Sequence, residues 1–359
     1  MIRNFLIFTV CLLSIVLCKS PNIGEAINKR IVDPFDETKI VNVHFMTTRR
    51  ELSGRTHCDG TGFGYITDIN PHYGTCLVSV PAKHPIGEIT MDPQLNQDST
   101  FQLKGRLNIE KDEFYNKVNS NPSDEIIVFV HGFNVNFDEA VLRSAKIKYD
   151  LKFAGDVVLY SWPAGVEPGL LGQMMIRSVY DLNFSEAKIN REPFYLFLNE
   201  LSNSGKKIHL IVHSMGHQVV LPSLSNLAKK GKSKIIQELI LNAPDFDRAQ
   251  FETILPDLTK IAQRTTLYCS PGDNALVVSQ KVNGGNRAGM CFKFSGVDVI
   301  NVNEVDAPMM GIGGLGHGYY SSRPILTDIY QVLLGVSVER RLFIRKSGAY
   351  NGENWVLRK

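Results

Sequence analysis

Apolar positions along the chain fall into two textures. Up to about residue 109, hydrophobic and polar residues alternate in short runs broken by Gly and Pro. KIVNVHFMTT, GYITDI, TCLVSVP and FQLKGRLNI each predict a strand with one face buried. EKDEFYNKVN then predicts a short helix. From Glu125 the apolar runs become continuous and rich in β-branched residues. EIIVFV, DVVLYSW, KIHLIV, QELILNAPD, RTTLYCSPGD and VDVINVNEVD predict strands covered on both faces, each ending in a polar turn. Between them FDEAVLRSAKIKYDL, residues 194–201, HQVVLPSLSNLAKK and finally TDIYQVLLGV place apolar residues at helical spacing. Pro222 falls inside one of these helices and predicts a kink or a break. Strands alternating with helices predict an α/β fold: a doubly wound, mostly parallel sheet with antiparallel N-terminal strands.

The ends of the chain read differently. Residues 5–17, FLIFTVCLLSIVL, follow a single arginine and form an apolar run too short to cross a bilayer comfortably. The run suits a signal peptide over residues 1–20 and an extracytoplasmic location, periplasmic or secreted. Lipid attachment at Cys18 and an uncleaved anchor are the alternatives, and any membrane contact is expected only through this leader. A linker precedes the main domain, residues 39–338, of which 39–120 is the β-rich part. The tail, residues 339–359, carries RRLFIRKS and NWVLRK around SGAYNGE and predicts a β-hairpin with a solvated basic edge.

Composition excludes more than it selects. The 359 residues carry a formal net charge of +3, 43% hydrophobic and 21% charged residues. That is an ordinary globular balance with no reason to expect nucleic acid as a partner. Outside the leader, Cys58, Cys76, Cys269 and Cys291 remain. In an exported chain they favour disulfides, nearest neighbours pairing most simply, with buried free thiols as the alternative. There is no C-x-x-C, so neither a metal nor a cofactor is expected.

Candidate chemistry starts at VHSMG, residues 212–216, where a strand pattern meets a helix pattern. A serine on such a sharp turn exposes its Oγ while the helix N-terminus faces a developing oxyanion. Ser214 holds that position. Gly216 supplies the second glycine of G-x-S-x-G, but Val212 replaces the first. In open α/β sheets ligands meet the carboxyl ends of the strands, so other strand-end residues are the candidates for its partners. His317 in GGLGHGYY lies downstream of the nucleophile's helix, which suits a base that comes last in the chain. Asp273 in YCSPGDNAL is the favoured acid, with Asp245 and Asp247 of NAPDFD as alternatives that also read as helix-capping residues. The HG pair after the first continuous strand offers the backbone N–H of Phe133, and the turn offers that of Met215, as an oxyanion hole. His131 reads as a brace for its loop. Gly311, Gly313 and Gly316 spell G-x-G-x-x-G, but they neither follow a strand directly nor open a helix, so they read as the loop presenting His317. Trp162, Leu170, Leu171, Met174 and Met175 lie in a long apolar stretch after DVVLY and are candidates for a substrate pocket, or simply for a packing helix.

HGFN, SWP, HSMG, APD, YCSPGDNAL, RAG and GHGYY occur in this order, after an NVHFMTTRR start and a VSVP strand. With these motifs residues 39–334 resemble a bacterial family of uncharacterised α/β-hydrolases, usually described as esterase- or lipase-like. The resemblance implies an α/β-hydrolase fold and a Ser-Asp-His triad on Ser214, Asp273 and His317. The resemblance supplies no substrate; the apolar stretch after DVVLY leads to the expectation of a serine hydrolase that acts on carboxylic esters of modest acyl chain through an acyl-enzyme, with a small-molecule ester or a lipid as substrate. An acyltransferase on the same triad and an inactive binding protein are the alternatives.

Overall fold

The computed structural model describes residues 38–52, 62–81, 84, 86–87, 100–167, 176–305, 317–318, 321–347 and 355–358. The leader, Cys58, the pocket candidates Leu170, Leu171, Met174 and Met175, and Gly311, Gly313 and Gly316 lie outside the described residues. The strands are β1 (Ile40–Glu51), β2 (Phe63–Ser79), β3 (Gln102–Ile109), β4 (Glu125–Val130), β5 (Asp156–Ser161), β6 (Lys207–His213), β7 (Ile236–Asn242), β8 (Ala262–Cys269), β9 (Asp298–Asn301), β10 (Ile344–Lys346) and β11 (Trp355–Leu357). The helices are α1 (Lys111–Ser120), α2 (Phe137–Asp150), α3 (Ile176–Ile189), α4 (Arg191–Leu201), α5 (His217–Lys229), α6 (Arg248–Ile261), α7 (Asn274–Asn283) and α8 (Arg323–Leu333).

All these strands join one sheet in the order β10-β11-β9-β8-β7-β6-β4-β5-β1-β2-β3. Its centre is parallel from β11 through to β1, while β2 and β3 run antiparallel at one edge and β10 at the other. The continuous apolar runs are the central strands because they are covered on both sides. Along β4, Ile126, Val128 and Val130 enter one core and Ile127 and Phe129 the other. That is the period-two alternation of a strand with two buried faces. The first core is shared with α1, α4, α5 and α6, the second with α2 and α8.

The antiparallel N-terminal strands join the main sheet, β1 pairing in parallel with β5 and antiparallel with β2. Three readings of the pattern are revised. GYITDI and TCLVSVP are not two short strands but parts of the single β2. The register jumps from Thr47–His72 to Arg49–Thr67, and this irregularity absorbs the exposed Asn70 and Pro71. Pro222 does not break α5. Proline deprives the carbonyl four residues back of its donor, and here Arg191 Nε donates to that carbonyl, Gln218 O, at 2.9 Å. The tail does form a hairpin, but its edge is not all solvated: Arg341 is buried and donates to Asp328 and Asp298.

Candidate active site

Ser214 sits immediately after β6 with φ of +51°. A non-glycine residue in that region is strained, which is how a sharp strand-to-helix turn pushes a side chain outward. The turn is possible because its neighbours lack side chains. A Cβ on Gly216 would lie 2.5 Å from His131 O, and one on Gly132 would lie 2.8 Å from Ser214 Cβ. The loop after β4 therefore packs directly on the turn that carries Ser214. Val212 needs no such relief. It is fully buried between Val130 and Leu241 in the strand ladder, and its side chain is part of a core.

The three strand-end residues meet. His317 Nε2 lies 2.6 Å from Ser214 Oγ, and His317 Nδ1 lies 2.7 Å from Asp273 Oδ2. A carboxylate can only accept, so Nδ1 carries the proton and Nε2 accepts from the serine hydroxyl. Asp273 is fixed at the other oxygen too. Its Oδ1 accepts from Leu276 N at 3.1 Å and so caps α7. His213 Nε2 donates to the backbone carbonyl of His317 at 3.2 Å and so holds that residue's backbone beside the Ser214 turn. Burial, with His317 and Arg143 nearby, drives the pKa of His213 well below the usual histidine value, so it stays neutral. His217 Nδ1 donates to Ser214 O at 2.6 Å, and burial pulls its pKa down to about 3.

Asp245 is elsewhere in the network. Its Oδ1 accepts from Ser279 and from Arg287 Nε, and its Oδ2 accepts from the Tyr180 hydroxyl. Asn283 Nδ2 donates back to Tyr180 Oη. Asp245 is thus engaged in a buried ion pair with Arg287, whereas Asp273 accepts the hydrogen bond of His317 Nδ1. Asp247 caps α6 through Gln250 N. The APD and RAG segments pair with each other: besides the ion pair, Gly289 N donates to Pro244 O and Ala288 N to Phe246 O.

A cavity of about 80 Å³ opens beside Ser214 and His317, lined by Phe133, Tyr180, Leu276, Val278 and Val282 and also by Arg177 and Asp245. Trp162 does not line it. The indole is fully buried, stacked on His131 with ring centroids 5.5 Å apart, and its Nε1 donates to His131 O. A large ring following β5 in a two-sided core is drawn inward, so Trp162 supports the loop rather than the pocket. Helix α3, which the pattern did not single out, supplies Tyr180 as a wall of the cavity.

Cys269 and Cys291 form a disulfide. It joins the end of β8, just before the turn that holds Asp273, to the RAG segment. Cys76 is also disulfide-bonded.

The chain matches the family described as alpha/beta hydrolase of unknown function (DUF900) over residues 108–336 and belongs to it. No curated protein matches the chain.

Proposed function

For an α/β-hydrolase with this site, we propose a serine hydrolase of carboxylic esters with short acyl chains. The observation that carries the reading is the unbroken run of hydrogen bonds from Asp273 through His317 to a strained Ser214. Ser214 Oγ attacks the acyl carbon while its proton passes to His317 Nε2. Asp273 holds the Nδ1 proton in place and stabilises the imidazolium. The oxyanion is received by the backbone N–H groups of Phe133 and Met215. His317 then protonates the leaving alcohol, and the acyl group remains on Ser214. Water attacks the acyl carbon, gives its proton to His317, and the acid departs with Ser214 restored.

The size of the cavity favours short acyl groups. A water-sized site needs about 15 Å³ of such space, so the cavity holds roughly five, the bulk of a short chain. Its walls are apolar because the Tyr180, Ser279 and Asn283 polar atoms are turned onto Asp245 and onto one another. The disulfide between Cys269 and Cys291 supports an extracytoplasmic site of action, in keeping with an exported leader.

The test is turnover of a series of p-nitrophenyl esters of increasing acyl length, with mass spectrometry of the quenched enzyme. The reading requires hydrolysis that falls with chain length and an acyl adduct on Ser214. A folded protein that hydrolyses none of them contradicts it and leaves a binding role for the fold. Product analysis with an added alcohol acceptor separates hydrolysis from acyl transfer.

A further inference from the structure

Arg49 is the most completely buried cation among the described residues, fully enclosed near the end of β1. Among the described residues it pairs with no carboxylate; its guanidinium donates instead to Ser161 Oγ through Nε at 2.9 Å, to Gly64 O and Ala164 O through one terminal nitrogen, and to Val135 O at 2.7 Å through the other. Burial pulls its pKa down to about 9, which leaves it charged at neutral pH. Burying a charge this way costs several kcal/mol, and four neutral acceptors offset that only in part.

From Arg49 a chain of hydrogen bonds leads to the active site, and its direction is forced at both ends. A guanidinium can only donate, so Ser161 Oγ accepts from Arg49. At the far end His131 Nδ1 lies 3.1 Å from Gly132 O, and a carbonyl can only accept. Nδ1 therefore carries the proton. Burial, together with Arg49, drives His131 well below the usual histidine pKa, so the ring is neutral. Its Nε2 is then an acceptor, and Ser161 O–H, 3.2 Å away, is the donor. The carbonyl at the end of this chain, Gly132 O, belongs to the same peptide plane as the N–H of Phe133. Stacking on Trp162 fixes the His131 ring in the orientation that this requires.

We propose that Arg49 and Ser161 are positioning residues for the oxyanion hole: acting through His131, they orient and polarise the peptide between Gly132 and Phe133 whose N–H receives the oxyanion. A hydrogen bond accepted by a peptide carbonyl makes the N–H of that peptide a stronger donor, and a cation at the head of the chain polarises every link in the same sense. The NVHFMTTRR, SWP and HGFN segments, far apart in sequence, thereby serve one peptide group. The inference rests on the hydrolase reading for its catalytic consequence, but not for the state of His131.

The test uses the full chain and the variants Ser161→Ala and Ser161→Thr, with two readouts. The first is the ¹⁵N shifts of the His131 ring. The wild type must show the Nδ1–H tautomer across the neutral range, and Ser161→Ala must shift it toward Nε2–H. The second is kcat and KM on a short-chain ester and on its thionoester. Sulfur is a poor hydrogen-bond acceptor, so the thionoester draws less on the oxyanion hole. Ser161→Ala should lower kcat on the ester about tenfold with KM unchanged, lower it less on the thionoester, and regain most of the loss as Ser161→Thr. An Nε2–H tautomer in the wild type, a kcat within twofold of wild type, or an equal loss on both substrates overturns the proposal. If the wild type hydrolyses neither ester, the hydrolase reading fails, and the tautomer alone decides whether the relay exists.

Discussion

Arg287 Nε donates to Asp245 Oδ1 at 2.9 Å in a buried ion pair, and this contact separates two aspartates that chain position leaves nearly equivalent. Asp245 ends one strand and Asp273 follows the next. Only Asp273 has an oxygen on His317. Asp273→Asn should therefore lower kcat by about 10³-fold or more, with little change in melting temperature, since an amide cannot stabilise the imidazolium and favours the wrong tautomer. Asp245→Asn should act the other way. Leaving Arg287 without its charge partner costs about 3 kcal/mol of stability, read in urea unfolding, while the triad keeps its contacts. Equal losses of activity in the two variants would contradict these roles.

The two positions that frame the serine respond oppositely to a change of one methyl or so. Gly216→Ala puts a Cβ 2.5 Å from His131 O, against backbone that cannot give way without moving the oxyanion loop. It should cost about 2 kcal/mol of stability and at least an order of magnitude in kcat. Val212→Ala removes buried apolar volume from the core and should cost about 2 kcal/mol, with kcat within a few-fold of wild type. Paired unfolding and kinetic measurements check both.

Removal of the disulfide between Cys269 and Cys291, by the double change Cys269→Ser and Cys291→Ser, should destabilise the protein. The cysteines are 22 residues apart. A closed loop of that length is worth roughly 3 kcal/mol through the unfolded chain. Urea unfolding of the oxidised wild type beside the double variant measures the difference.

Buried neutral histidines make the fold acid-sensitive. His217 has a pKa of about 3 in the folded protein, lowered chiefly by burial, against about 6.5 in the unfolded chain. Between those values the unfolded state binds a proton that the folded state does not. Stability therefore falls as pH drops below about 6.5, by about 1.4 kcal/mol per pH unit for this one group. His217→Gln abolishes its share, so between about pH 6.5 and 5 the variant should lose about 2 kcal/mol less than wild type. Unfolding free energies at the two pH values test this, and parallel curves for variant and wild type would contradict it.

What the sequence discloses depends on how local the physics is. The central strands are legible because a two-sided core demands continuous apolar runs. The meeting of Ser214, Asp273 and His317 is legible because the strand ends of an open parallel sheet gather on one side of it. Arg49 gives no such signal. A charged residue at the edge of a strand reads as solvated, and only the approach of Ser161, Ala164 and Val135 from other elements makes it a buried strut. The same holds for Arg341 and for the APD and RAG pairing, whose partners are dozens of residues apart. Trp162 shows the converse error: its apolar character is plain, but the side of the sheet on which it packs is decided by His131.

The central claim is that Ser214 is a nucleophile activated by His317 and Asp273, and the most direct measurement is labelling by a fluorophosphonate probe. Folded wild-type protein should label at Ser214, Ser214→Ala should not label, and Asp273→Asn should label far more slowly. Absence of labelling in well-folded wild type, or labelling of Ser214→Ala at the wild-type rate, would contradict the account.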